Sequence, residues 1–423
     1  MGNTYKSSGV NVEMANEMKN RFGEFVSAGR TDICRPLNRV GAFASLLDID
    51  LSRFDRPVFV MKSEEPGSKQ LLSFERDRIE WIACDLINHL VNDVVVMGAS
   101  PCAVLDTIIC ESMDSAVLLR LVKAMARACG ENGCVLVGGE TSEQPGVLPA
   151  GRHILQASAL GVVSRDAIVD GSAIRDGDVI VSLASNGLHT NGYSLARRIM
   201  RDRPEILGET VGGESFMDAL LKPHTAYFGA VSRLLRAGAG DGARDGNQDM
   251  ARGEAQDGGR GSSRDSAQDG SRGARPGAER GGSNGVAMGD SHGAERGDHQ
   301  DMARGVAQGG GRGGQLVHGM AHITGGGAHD NLIRILPDGA EARIDLSKVS
   351  VPGIFKLIKR YGGIDDAEML AAFNMGMGLL AVADPSIEGA LPGVSAESGI
   401  AAAIVGRVSS GPKGVSFINS IQW

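Results

Sequence analysis

The sequence predicts an α/β fold with mixed sheets, divided between two domains. Short runs rich in Val, Ile and Leu alternate with stretches whose apolar residues recur at helical spacing, so strands and helices take turns. A chain of 423 residues, 42% hydrophobic, can fill two cores, and with aromatics at only 4% the packing falls to Val, Ile, Leu, Ala and Met. The stretch 237–315 breaks the pattern: its 79 positions hold 23 glycines and no Leu, Ile or aromatic residue. Such a stretch cannot bury enough apolar area to offset ordering entropy and reads as a disordered insertion in a surface loop. Its motif QDMARGEAQDGGRG at 248–261 recurs as QDMARGVAQGGGRG at 300–313. Ten arginines against twelve acids leave it slightly acidic, which weakens an RNA-binding reading.

Residues 1–57 are a mixed lead-in with a helical pattern from Val10 to Phe25. Val58 to Met61 reads as a strand running into a polar turn, Lys62 to Lys69, which lacks the GxxxxGK[ST] spacing of a phosphate loop. From Asp77 to Val91, Ile79, Ile82, Ala83, Leu86, Ile87, Leu90 and Val91 form one helical stripe. That stripe turns Asp85, His89 and Asn92 to the other side, with Asp93 near its edge. The apolar run Val94–Met97 follows, so Asp93 sits beside buried structure, as a cation ligand or as a capping acid. Ala103 to Cys110 is a strand, and Asp114 caps a helix that runs to Ala128 and stops at Gly130.

Cys134 to Gly146, CVLVGGETSEQPG, is a short strand that ends at Gly138-Gly139. Glu140 then lies at the rim of a sheet, where open α/β sheets bind ligands, although a lone GGE also reads as an ordinary strand turn. Strands follow at Ile154–Val163 and Val179–Leu183. The loop SNGLHTNGY, 185–193, then leads into a helix from Ser194, and its His189 is either a surface residue or part of an anion site. Beyond the insertion, His318 and His322 share a metal only if their segment is helical, and Val317 to Thr324 reads more like a strand. Gly325-Gly326-Gly327 turns onto a helix from Asp330, a credible phosphate cradle. A strand at 342–346, helices at 353–361 and 367–373, and strands at 377–382, 400–408 and 415–421 complete the chain.

The net charge of −8 argues against a general nucleic-acid binder, and no apolar run reaches membrane-spanning length. The six cysteines form no CxxC pair and no zinc spacing, and with no export signal they read as buried thiols of a cytoplasmic protein.

The motifs YKSSGV (5–10), DLINHLVNDVVVMGASP (85–101), VGGETSEQPG (137–146), DGSAIRDGDVIVSLASNGLHTNGYSL (170–195), HITGGGAHDNLIRILP (322–337) and FNMGMG (373–378) occur in an order that resembles the phosphoribosylformylglycinamidine cyclo-ligase (AIR synthetase) family. The resemblance covers nearly the whole chain outside the insertion. It implies an N-terminal ATP-binding domain, 1–169, that pairs into a homodimeric β-barrel, and a C-terminal domain, 170–423, carrying the insertion. It also implies an ATP- and Mg²⁺-dependent closure of formylglycinamidine ribonucleotide to aminoimidazole ribonucleotide. In that reading His189 and Lys69 are catalytic, and Glu64, Asp93 and Glu140 hold Mg²⁺. Glu64, Gly67, Lys69, Asp85, Asp93, Gly138, Gly139, Glu140, Gly325 and Gly326 line the nucleotide site.

Several positions depart from the family pattern. The family's strand-end motif SGTDGVGTK is MKSEEPGSK here, so its metal-binding aspartate becomes Glu64 and the next glycine becomes Glu65. Two acids of the opening motif are Ser7 and Asn11, and a glycine-rich stretch is reduced to Val40-Gly41-Ala42-Phe43. These losses fall on the nucleotide side, and leave a homologue without turnover, or an enzyme acting on another substrate, as the alternatives.

Overall fold

The structure, a computed structural model, describes residues 21–23, 25–26, 30–38, 41–237 and 315–423, all in one compact unit. The helix read at Val10–Phe25 falls largely outside these residues, as do Ser7, Asn11, Val40 and the insertion between its end residues.

Two mixed sheets carry the fold. The first is four-stranded, in the order β3 (Pro57–Glu64), β6 (His153–Ser164), β4 (Ser100–Cys110), β5 (Val135–Glu143). Its pairs are antiparallel except β4 with β5, which helix α3 (Ser115–Glu131) joins as a right-sized crossover. Asp114 caps α3 by accepting from the amides of Ala116 and Val117, as expected, but the helix runs through Gly130 to Glu131. Helix α2 (Ile79–Val95) and α3 pack together over one face of this sheet. A short antiparallel pair, β1 (Cys34–Pro36) and β2 (Leu47–Ile49), lies in the segment that covers one end of the other face, where Ile33, Cys34 and Phe54 pack on Cys102, Val135, Val137 and Val162. The rest of that face is open, and Phe59, Met61, Leu105 and Ile154 are all exposed there. Among the described residues the four-stranded sheet does not close into a barrel; β3 and β5 are its free edges.

The second sheet has six strands in the order β10 (Val317–His322), β12 (Met377–Ala383), β7 (Val179–Ala184), β13 (Ala402–Ser410), β11 (Ala340–Asp345), β14 (Gly414–Ile418). Only β11 with β14 is parallel, and a separate two-stranded pair, β8 (Thr210–Val211) with β9 (Glu214–Ser215), stands outside both sheets. β12 is buried along its whole length, as a central strand of Met, Leu, Ala and Val should be.

Two local expectations change. The strand at 134–137 does not end at Gly138-Gly139: β5 continues to Glu143, pairing Gly139 with Asp106 and Glu140 with Thr107. Gly139 permits this because a Cβ there would lie 2.2 Å from Asp106 Oδ1 and 2.4 Å from its carbonyl oxygen. The polar turn read at 62–69 narrows to 65–68, because β3 runs on to Glu64 and helix α1 (Lys69–Glu75) begins at Lys69. All six cysteines are free and buried. No described helix is long and apolar enough to cross a membrane.

Candidate functional site

Helix α2 positions the site, and it does so with the side read as polar. Fourteen of its seventeen residues are buried, among them Asp85, Asn88, His89 and Asn92. These polar groups do not meet solvent. They hold the extended segment 222–227: Asn88 Nδ2 donates to the His224 carbonyl (2.7 Å) and Asn92 Nδ2 to that of Thr225 (2.9 Å). The Tyr227 amide donates to Asn92 Oδ1 (2.9 Å), and the His224 amide to Asp85 Oδ1 (2.7 Å). Spacing of i, i+3 and i+7 puts Asp85, Asn88 and Asn92 on one line of the helix, so the stripe serves as a substitute strand partner for backbone that has none.

Lys69 and Asp85 lie fully inside this arrangement. Lys69 Nζ donates to Asp85 Oδ1 (2.8 Å) and to the Lys222 carbonyl (2.6 Å), with both side chains at 0% exposure. Burial outweighs their mutual attraction: Asp85 is pushed up to about 6 and Lys69 is lowered. Both therefore anchor the site from beneath rather than presenting charge to a ligand.

Above them four of the chain's nine histidines gather: His89, His189, His224 and His322. His322 ends β10, and its Nδ1 bonds Asp93 Oδ1 at 2.8 Å. His322 Nε2 and His224 Nε2 face each other at 2.8 Å. His189 stacks on His224 with ring centroids 3.9 Å apart. His89 Nδ1 bonds Thr190 Oγ1 (3.1 Å), and its Nε2 lies 3.6 Å from Glu64 Oε2. Burial drives His89 down to about 4 and lowers His189 and His224 well below the ordinary imidazole range, so these three rings are neutral at pH 7. His189 adopts φ +61°, a left-handed conformation uncommon outside glycine.

Glu64 and Asp93 come together at the edge of this cluster through Lys62. The ammonium of Lys62 lies 3.0 Å from Glu64 Oε2 and 2.9 Å from Asp93 Oδ2. Burial opposes the Lys62 charge, but its bonds to Asp93 and Glu64 keep it above the ordinary lysine range. Burial likewise opposes ionisation of Asp93, yet His322 and Lys62 hold it well below the usual carboxylate range.

The glycine-rich loops meet in the same place. A Cβ on Gly67 would touch the Thr190 carbonyl, and one on Gly325 would touch Asn191 Oδ1, each at 3.6 Å. Asn331 ties the triple-glycine turn down by donating to the carbonyls of Gly325 (3.1 Å) and Gly327 (2.7 Å). Gly326 and Gly327 have φ of +87° and +63°, and a Cβ on Gly327 would strike the Leu370 carbonyl at 1.9 Å. The helix after the turn begins at Gly327, three residues earlier than the sequence reading placed it, and ends at Leu332.

Glu140, Gly138 and Gly139 are not brought to this site. Glu64, Ala157, Asp106 and Gly139 form one row across the four-stranded sheet, so β5 lies three strands from β3, about 14 Å away. Glu140 is one residue out of that row and so faces the open side, opposite to Glu64 and Asp93. Within one chain, therefore, Asp93 and Glu140 do not share a cleft. Nor do His318 and His322 share a metal: they lie on a strand, with His318 Nδ1 bonded to Asp178 Oδ2 (2.7 Å). The sequence reading missed His224 altogether. An isolated histidine between two loop residues gives no periodic signal, and only its neighbours in space reveal it.

A family model described as AIR synthase related protein, N-terminal domain, matches residues 56–163, and its C-terminal counterpart matches residues 280–419. The chain is 32% identical to the phosphoribosylformylglycinamidine cyclo-ligase of Symbiobacterium thermophilum, over 98% of this chain and 97% of the relative. It is 31% identical to the protein of the same name from Geotalea daltonii, over 91% of this chain and 89% of the relative. Among solved structures, the hydrogenase maturation protein HypE in complex with ATP superposes with a TM-score of 0.55 at 17% identity, over 97% of this chain and 92% of the other, a likeness of fold.

Proposed function

We propose, from the premise that this chain belongs to the phosphoribosylformylglycinamidine cyclo-ligase family, that it carries out that family's reaction, the ATP-dependent closure of formylglycinamidine ribonucleotide to aminoimidazole ribonucleotide. One observation carries the reading: motifs far apart in sequence meet around residues 189–191, where Gly67 approaches Thr190 and Gly325 approaches Asn191. In the reaction the γ-phosphoryl group passes from ATP to the formyl oxygen. An amidine nitrogen then attacks the formyl carbon, the new C–N bond closes the ring, and the C–O bond breaks to release phosphate and a proton. Neutral His189, whose buried Nδ1 has no partner, can take that proton.

Glu64 and Asp93 fit the Mg²⁺ that accompanies ATP, because they already converge on one positive charge, that of Lys62. An ion held there would spread the charge of the transferred phosphoryl group. Lys69 and Asp85 act as positioning residues through the 222–227 segment. Gly67, Gly325 and Gly326 supply backbone that approaches the ligand closely, and the proposed division of the chain at 169/170 falls in the stretch between the two matched regions, 56–163 and 280–419.

Glu140, with Gly138 and Gly139, reaches a nucleotide groove only through a second copy of the chain. The exposed Phe59, Met61, Leu105 and Ile154 on its face support the homodimer that the family resemblance implies. A cytoplasmic location fits this chemistry and six unpaired thiols.

A second reading has one observation in its favour. The Lys62 ammonium occupies the place between Glu64 and Asp93 where a divalent ion would sit, which suits a homologue that binds ligand without turnover. Purified protein given ATP, Mg²⁺ and the amidine substrate should release ADP and form aminoimidazole ribonucleotide. Substrate binding without ADP release would select the second reading, and failure of both would overturn each. Glu65→Gly should raise the rate, by removing a negative charge from beside the polyphosphate.

A further inference from the structure

His224 belongs to none of the motifs that carry the family resemblance, and the proposed reaction gives it no task. Yet it completes a buried arrangement of imidazoles. His189, His224 and His322 are 1%, 1% and 5% exposed, and one ring nitrogen from each lies within 4.8 Å of the others. Nδ1 of His189 and Nδ1 of His224 have no hydrogen-bond partner, although both atoms are buried. Unpartnered polar atoms at this depth carry a desolvation cost that protein groups do not offset here. His322 is oriented from outside: its Nδ1 is committed to Asp93 Oδ1 at 2.8 Å, which turns Nε2 into the cluster. Room is kept by Gly378, where a Cβ would lie 1.7 Å from the Tyr227 hydroxyl and 2.9 Å from His189 Cε1.

We propose that His189, His224 and His322 form a three-nitrogen site for a divalent transition-metal ion of the zinc type, with Asp93 orienting His322. Three imidazole nitrogens are a borderline-soft donor set suited to Zn²⁺, Co²⁺, Ni²⁺ or Cu²⁺, whereas Mg²⁺ takes oxygen ligands. Zinc–nitrogen bonds of about 2.0–2.1 Å need ligand nitrogens roughly 3.3 Å apart, so the rings close in by an ångström or so and one pair opens slightly. Three protein ligands leave a fourth position for water or another small ligand. Asp93, whose side chain is 20% exposed, marks the way in. The proposal stands apart from the cyclo-ligase reading, since it concerns binding without nucleotide or substrate. An ion and a transferred proton would be alternative uses of His189.

The test uses the full chain, stripped with a chelator, dialysed and titrated with Co²⁺ alone. The expected result is one ion per chain, with the intense visible bands of four-coordinate cobalt, displaced by Zn²⁺ and unaffected by excess Mg²⁺. His224→Ala and His322→Ala should abolish the bands, and Asp93→Asn should weaken binding about 10–100-fold. His89→Ala and the exposed-site control His329→Ala should leave them unchanged. The bands surviving His224→Ala, or being lost in His89→Ala, would overturn the assignment, as would no uptake by the wild-type chain. Should His224→Ala fail to fold by circular dichroism, X-ray absorption on the wild-type cobalt complex decides: three histidine ligands support the site and fewer overturn it.

Discussion

Asp106 shows how one residue couples packing to pH. It is 7% exposed, lies under Gly139, and its carboxyl is pushed up to about 7, first by burial and then by the charge of Glu140. A carboxyl whose folded pKa exceeds its unfolded value contributes stability that is complete below the unfolded value, near 3.8, and is lost as pH rises through about 7. Asp106→Asn removes the ionisation, so the variant should match the wild type near pH 4 and gain on it as pH climbs. At pH 8 the gain should be about 4 kcal/mol, read from urea midpoints across the pH range. A constant difference between the two proteins at every pH would show that Asp106 does not ionise in this window. Glu140 was legible as an acid on a turn-rich motif but not as an acid facing away from Asp93. Strand alternation and the register with β4 decide that, and both depend on whether the chain turns or continues at Gly138-Gly139.

At the level of elements, α2 was legible as an amphipathic helix with Asp85, His89 and Asn92 off its apolar stripe, but helical spacing alone does not say what that polar side meets. The structure gives the side a partner, the 222–227 backbone, which has no strand to bond with. Asn92→Ala should therefore act well beyond a surface change. It strands the Tyr227 amide and the Thr225 carbonyl, and the expected loss is about 2–4 kcal/mol in urea unfolding. A loss under 0.5 kcal/mol would mean that the segment finds other partners. The strands β3, β4, β6, β7 and β12 were all legible because runs of β-branched and apolar residues mark them. Helices Phe216–Leu221, Phe228–Ala237 and Leu391–Ser398 were not: the first has only six residues, the second runs straight into the glycine-rich stretch of the sequence, and the third carries Pro392 and Gly393 early. Lys69 looked like the end of a polar turn, and only the course of α1 shows it turned inward.

For the whole molecule, the open face of the first sheet is the surface on which the proposed homodimer would rest. Phe59 is 53% and Met61 79% exposed on strand β3, with Leu105 and Ile154 on neighbouring strands. Apolar side chains on a sheet with free edges are a surface awaiting cover. Light scattering on the wild type should give twice the chain mass of 44.1 kDa. Met61→Glu should shift the protein to the monomer and reduce ADP release with it, since in the proposed reading Glu140 reaches the site only through a second copy. A monomeric wild type with full turnover would remove Glu140 from the chemistry.

The strap formed by residues 222–227 has one more consequence. Its backbone is pinned by Asp85, Asn88, Asn92 and Lys69, so the His224 ring takes its bearing from a helix rather than from whatever arrives beside it. The conformational freedom of that imidazole is surrendered when the chain folds, and an incoming guest meets a receptor already aimed. Alterations two turns along the helix would then mis-aim a ring they never touch.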